Sequence, residues 1–126
     1  MLLEEIPEAV RRLVVEAIDS VPELEAVLLL RSHADRDWSV EEAGARLYVS
    51  VTVAAHVLDV LTQRGFLTRT GERYRYAPTT MELDAAVAML AATYATKLIA
   101  VTRLIHSKPS PSVLQFADAF RLRKET

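Results

Sequence analysis

Hydrophobic and polar residues follow two different periods along this chain, and the change of period separates helices from a hairpin. Before residue 65 and again after residue 80, apolar residues recur every three or four positions, which predicts amphipathic helices. Between Leu67 and Tyr76 the period is two, and Tyr74 and Tyr76 alternate with arginines around a turn at 70–72. The pattern predicts a mostly α fold with one small β-hairpin.

Two helices are predicted before residue 35. The first begins near Pro7, whose fixed φ suits the first turn of a helix, and its apolar residues form one stripe. These residues are Ile6, Val10, Leu13, Val14, Ala17 and Ile18. Ser20-Val21-Pro22 interrupts the pattern. A second helix, from Pro22 to about Ala34, is apolar enough to be buried on more than one side.

The next segment carries the signals of two short helices joined by a tight turn. Ser39 and Glu42 form a capping box that starts the first helix. Gly44 is unfavourable inside a helix, so we expect another helix to cross close to it. Ser50 suits the N-cap of the second helix, and Gly65 stands where a C′ glycine would end it. The inward positions predicted for the second helix are Val53, Val57, Leu58 and Leu61.

Two short helices followed directly by a two-stranded ribbon predict a winged helix-turn-helix, an assembly that usually binds duplex DNA. Three motifs and the arginine-bearing hairpin resemble the DNA-binding core of winged-helix regulators of the MarR and PadR type. The motifs are Glu42-Ala43-Gly44-Ala45-Arg46-Leu47, Val49-Ser50 and Leu61-Thr62-Gln63-Arg64-Gly65-Phe66. They cover about a third of the chain and are more specific for the fold than for a function.

The resemblance implies a DNA-binding surface. In such families the second helix, here residues 51–64, enters the major groove, and the wing, here residues 67–76, lies along the DNA backbone. Asp59 would also face DNA from this helix. The implied DNA-binding residues are Arg46, Ser50, Val51, Thr52, Ala55, His56, Arg69, Arg73 and Arg75. Arg, Lys, Asn and Gln, which make most base contacts, are missing from the groove-facing positions. The neutral donors there are Thr52 and His56.

Charge is distributed unevenly along the chain. The full sequence carries 15 basic and 17 acidic residues, a formal net charge of −2. Residues 1–45 hold four arginines against eleven acidic residues, whereas residues 46–76 hold five arginines against two acidic residues. A locally basic segment in an acidic protein is expected of a surface that follows phosphates. The alternative is an ordinary solvated face, because exposed charges are common.

Composition bounds the class of protein. A chain of 126 residues suits one domain, and the lack of cysteine excludes disulfides and thiolate metal sites and favours a cytoplasmic location. The three histidines, His33, His56 and His106, lie far apart without ligand spacing. No phosphate-binding glycine loop or nucleophile elbow is present. We therefore expect no catalytic residues, no metal and no cofactor, and the N-terminus has no signal-peptide pattern.

Downstream, the pattern predicts one long helix from Thr80 to about Ile105. It needs a partner, because a small core cannot cover all its apolar positions, and we predict a homodimer about a two-fold axis. The predicted interface residues are Leu83, Val87, Leu90, Tyr94, Leu98, Val101 and Ile105, joined by Phe116 and Phe120 of a short tail helix. A second apolar set is Ala85, Ala88, Met89, Ala92, Ala95 and Ile99. The alternative is a helix that covers its own winged domain. The threonines within it disfavour a membrane span.

The sequence thus predicts a winged helix-turn-helix domain with an added N-terminal helix at residues 1–79. A long dimerisation helix and a tail follow at 80–126, forming a single structural unit with it. The tail after the proline-interrupted link 107–112 could dock on the partner subunit, beside the long helix or on another protein. The first function predicted is that of a homodimeric DNA-binding transcriptional regulator. The alternative is a protein-interaction module on the same scaffold without specific DNA binding.

Overall fold

The structure, a computed structural model, describes residues 6–108. Within that range the chain forms six helices and one antiparallel hairpin. The helices are α1 (Glu8–Ala17), α2 (Val21–Ser32), α3 (Val40–Leu47), α4 (Val51–Gln63), α5 (Met81–Thr96) and α6 (Leu98–His106), and the strands are β1 (Leu67–Thr70) and β2 (Arg73–Tyr76). This architecture confirms the prediction of a mostly helical fold with a small hairpin. It is compatible with a winged helix.

One hydrophobic core joins all these elements. Helix α2 packs on α3, α4 and β2, while α1 packs on α5 and α6. Most of the stripe predicted for α1 is buried, with Val10, Val14 and Ile18 fully inaccessible. Ser20 starts α2 as its N-cap, because its side chain accepts a hydrogen bond from the Glu23 amide at 3.2 Å.

Helices α3 and α4 form the predicted pair of short helices. The Ser39 hydroxyl accepts from the Glu42 amide at 3.1 Å and the Glu42 carboxylate accepts from the Ser39 amide at 3.0 Å, so the capping box is confirmed. The two helix axes are bent by 107° across Tyr48-Val49-Ser50. Such an angle is typical of helix-turn-helix pairs. One inward position was wrong: Val53 is 40 % exposed, and the neighbouring Ala54 is buried instead.

The prediction of one long helix from Thr80 to Ile105 was wrong. The helix ends at Thr96, and α6 leaves at 114° to α5 after Lys97, whose φ of −132° and ψ of 48° are not helical. The Thr93 hydroxyl bonds back to the Met89 carbonyl at 2.8 Å, a contact that bends helices. Within residues 6–108, no single helix is both long enough and apolar enough to cross a membrane.

The bend also corrects the predicted dimer stripe. Four residues of the stripe are at most 2 % exposed, because α6 turns back along α1 and the core of one chain buries them. They are Val87, Leu90, Val101 and Ile105. Leu83 and Tyr94 are half-buried against the same core. Leu98 is 52 % exposed. Phe116 and Phe120, also assigned to the interface, lie outside the described residues.

A cluster of charged side chains holds the ends of α1, α4 and α6 together. Lys108 donates from Nζ to the carbonyls of Val14 and Ile18, at 2.6 and 2.8 Å, and to Asp19 at 2.8 Å. Arg64 donates to the Ala17 carbonyl at 2.7 Å and to the same aspartate at 2.8 Å. Cations at a helix C-terminus are favourable because they complement its unpaired carbonyls.

The ionisation of Asp19 makes the stability that this cluster contributes depend on pH. Burial by itself raises the pKa of Asp19, but hydrogen bonds and charge from Lys108 and Arg64 outweigh burial and lower the pKa below its ordinary value. A group with a depressed folded pKa contributes stability above its unfolded pKa and loses it as the pH falls through the folded value. The contribution of Asp19 is therefore fully present at neutral pH and disappears in acid.

We predict that Asp19→Asn lowers the free energy of unfolding at pH 7 and that the loss shrinks as the pH falls below about 4, the usual aspartate pKa. Urea denaturation of variant and wild type at a series of pH values measures this difference. The control is Asp35→Asn, since Asp35 is exposed. A difference between Asp19→Asn and wild type that stays constant from pH 7 to pH 3 would contradict the assignment.

Candidate nucleic-acid interface

The outer side of α4, the start of α3 and the hairpin meet in one cleft. Its volume is about 450 Å³. The cleft is lined by residues 39–41 of the α3 start, by Ala55 and Asp59 of α4, and by Arg69, Glu72, Arg73 and Tyr74 of the hairpin. The fold therefore brings together α4 and the hairpin, the two elements that carry most of the predicted DNA-binding residues.

Helix α4 places its candidate residues on one accessible side. Val51, Thr52 and His56 are exposed, and Ala55 is half-buried in the cleft. Ser50 is also exposed, but its hydroxyl is occupied as the N-cap and accepts from the Val53 amide at 3.1 Å. This side of α4 offers two neutral polar side chains among small apolar ones. Its potential for reading base edges is correspondingly small.

The hairpin is fixed to the helices through Trp38. The Trp38 amide donates to the Tyr74 carbonyl at 2.7 Å, and the Tyr74 amide donates back to the Trp38 carbonyl at 2.8 Å. Trp38 is 1 % exposed, so its ring anchors the segment before α3 in the core. The Tyr74 hydroxyl donates to Asp59 of α4. Burial, followed by this contact with Asp59, raises the pKa of Tyr74.

Each wing arginine for which the sequence resemblance implied a phosphate contact is paired with a carboxylate. Arg69 lies 3.5 Å from Asp59, Arg73 lies 3.0 Å from Glu42, and Arg75 lies 2.8 Å from Asp37. Two of these acids belong to the segment before residue 46, so counting charge over residues 46–76 missed them. The locally basic segment of the sequence therefore carries three arginines that are paired with acids in the fold.

Glu42 is the most connected of these carboxylates. Its Oε1 accepts from the Ser39 amide, from Arg36 at 2.8 Å and from Arg73 at 3.0 Å. The Ser39 amide and the charges of Arg73 and Arg36 lower the pKa of Glu42, against the opposing effect of burial. One side chain thus caps α3 and holds the wing against it.

Arg46 differs from the wing arginines. It is exposed, and within residues 6–108 it has no carboxylate partner. Its guanidinium lies 5.5 Å from the centre of the Trp38 ring, and that of Arg36 lies 3.8 Å from the same ring. Sequence reasoning missed this arginine–tryptophan cluster because Arg36 and Trp38 precede the helices that carry the motif.

Comparison of this chain with family models, with curated proteins and with solved structures finds no match. The geometry of the cleft and its charged pairs is therefore the basis for assigning a function. Among residues 6–108 no group of three His, Cys, Asp or Glu side chains is placed to hold a metal ion.

The turn between α3 and α4 depends on Gly44. A Cβ added there would lie 3.2 Å from the Val49 carbonyl oxygen and 3.4 Å from the Ala54 Cβ, which confirms the predicted close approach. We predict that Gly44→Val lowers the free energy of unfolding by roughly 1–3 kcal/mol, a typical cost of overpacking. The control, Ala45→Val, changes an exposed neighbour on the same helix and tests β-branching alone. Equal losses in both variants, measured by urea denaturation, would show that the close approach is unimportant.

Proposed function

We propose that this protein is a winged helix-turn-helix transcriptional regulator that binds duplex DNA as a homodimer. Helix α4 is the element that enters the major groove, and the hairpin is the wing along the backbone. The MarR/PadR-type resemblance of the sequence agrees with this order of elements. The protein is expected to need no cofactor and to catalyse no reaction.

The observation that carries the proposal is the shared cleft between α4 and the hairpin. Ala55 of α4 and Arg69 and Arg73 of the hairpin line it together. A helix at 107° to its predecessor, with its first turn exposed and Ala55 in a cleft lined by Arg69 and Arg73, has the disposition that helix-turn-helix proteins use for duplex DNA.

The charged pairs of the wing do not prevent phosphate binding. The arginine side chains of the three pairs are 46–48 % exposed, and exposed ion pairs are worth only about 0–1 kcal/mol. Exchange of a carboxylate for a phosphate therefore costs little, while release of counterions from DNA favours binding. Because α4 has few groups that read bases, specificity would depend partly on DNA shape.

The dimer would form through the outer side of α5. No charged residue occurs from Ala85 to Thr96, and the outward positions include Ala85, Ala92 and Ala95. Met89, which is 42 % exposed, lies on the same side, and Leu98 and Ile99 follow at 52 and 65 %. Apart from Leu98, this surface corresponds to the second apolar set of the sequence, whereas the other residues of the first set pack in or against the core. A two-fold pairing of α5 would cover it and place two copies of α4 for two half-sites.

The direct test is a mobility-shift titration of the purified protein on the DNA upstream of its own gene, beside an unrelated duplex of equal length. Binding to both at low salt, with tighter binding to the upstream DNA, supports a regulator. Failure to bind either duplex at 50 mM salt would refute DNA binding.

We predict that Arg73→Ala plus Arg75→Ala weakens binding almost equally on all duplexes and lowers the salt slope by about two, as expected for two lost phosphate contacts. Fluorescence anisotropy at several salt concentrations measures both quantities. The matched variant Glu42→Gln removes the carboxylate that holds Arg73, and it should strengthen binding. The same affinity and salt slope in the double variant as in wild type would remove the wing from the proposed interface.

We predict that Ala92→Glu converts the homodimer to a monomer without unfolding it, because Ala92 is exposed in the single chain and glutamate is a good helix former. Sedimentation at tens of micromolar measures the mass, and circular dichroism measures the fold. The control is Val15→Glu, which places the same charge at an exposed apolar position of α1. A wild-type protein that sediments at 14.1 kDa would refute the dimer.

A second function is favoured by one observation, the pairing of all three wing arginines with carboxylates. With these charges matched and Val51 and Val53 exposed, α4 could contact an apolar protein surface instead. Added salt separates the two functions, because DNA binding falls steeply with salt whereas an apolar contact changes little.

A further inference from the structure

Tyr48, in the turn between α3 and α4, has an unusual backbone conformation. Its φ of 59° and ψ of 42° are left-handed, and within residues 6–108 it is the one non-glycine residue with positive φ. Chains commonly place glycine at this position after a helix, because a Cβ there is strained. A tyrosine at this position therefore makes the fold less stable than a glycine would.

The Tyr48 side chain does not offset this cost. It is 93 % exposed, so the ring buries almost no apolar area against the protein. Its hydroxyl has no hydrogen-bond partner among the residues that the structure describes. A strained, exposed aromatic residue that contributes nothing to packing indicates a contact outside the chain.

The position of Tyr48 is fixed relative to α4. The tight approach of Val49 and Ala54 to Gly44 sets the path of the turn. Two residues before Tyr48, the exposed Arg46 carries a charge without a carboxylate partner in the described part of the chain. The first turn of α4 follows directly, with its partial positive charge. The turn that carries Tyr48 thus lies between an arginine without a carboxylate partner in residues 6–108 and the positive end of a helix, unlike the paired charges of the wing.

We propose that Tyr48 is a DNA contact residue whose hydroxyl donates to a phosphate oxygen of the backbone at the start of α4, next to Arg46. Tyrosine hydroxyls are common phosphate donors, and such contacts set the register of the helix in the groove without reading sequence. This inference rests on the proposed DNA-binding function. A polar hydroxyl on a turn between Arg46 and the start of α4 favours a phosphate over an apolar protein partner.

The test compares wild type with Tyr48→Gly and Tyr48→Phe in two assays. Urea denaturation should show Tyr48→Gly to be at least as stable as wild type, because glycine relieves the left-handed strain. Fluorescence anisotropy on labelled duplexes at low salt should show it binding about tenfold more weakly, the effect of one lost hydrogen bond to a charged group. Tyr48→Phe keeps the strain and the ring but lacks the hydroxyl, so it should bind as weakly as Tyr48→Gly.

Two results would overturn the inference, and they are distinguishable. If wild type binds DNA and Tyr48→Gly binds it with the same affinity, the Tyr48 contact is refuted and the proposed function stands. Wild type that binds no duplex would refute both. Weak binding by Tyr48→Gly with full binding by Tyr48→Phe would also refute the hydroxyl contact, since it assigns the effect to the ring.

Discussion

The backbone bridge between Trp38 and Tyr74 determines where the wing lies. A two-stranded hairpin is marginally stable on its own, and here its second strand pairs with the segment between α2 and α3 through two hydrogen bonds of 2.7 and 2.8 Å. Burial of the Trp38 ring fixes that segment to the core. Contact of the Tyr74 hydroxyl with Asp59 then fixes the same strand to α4. The cleft between helix and wing exists because both contacts converge on one tyrosine.

The same arrangement explains the electrostatics of the wing. Tyr74 and Tyr76 point inward, so the alternation of β2 turns Arg73 and Arg75 outward, where Glu42 and Asp37 accept their hydrogen bonds. These pairs join β2 to α3 and to the segment before it, and they offset the charge of the two arginines. Since they are exposed, a polyanion could take over the arginines with little cost in stability. The wing would then bind with a salt dependence that reports those contacts.

Local signals made the helix starts and the turns predictable from sequence, whereas features set by long-range contacts were missed. The cap at Ser39, the positive-φ Gly65 and the hairpin turn at Gly71 are decided by neighbouring residues, and all three were correct. The break at Lys97 carries no glycine or proline, and apolar spacing continues across it, so periodicity alone indicated one helix. The ion pairs of Arg73 and Arg75 join residues 31 and 38 positions apart. Counting the charged residues within one stretch of the sequence could not reveal these pairs.

The bend at Lys97 has a consequence for the other side of α5. By turning α6 back along α1, it buries Val101 and Ile105 with Val87 and Leu90, and Lys108 closes this packing by binding the carbonyl groups at the end of α1. A straight helix would have left those residues without a partner in the same chain. Because the core takes the stripe of large residues, α5 exposes its alanine-rich side instead. Small side chains allow two helices to approach closely, so the face left over by folding suits a symmetric helix pair.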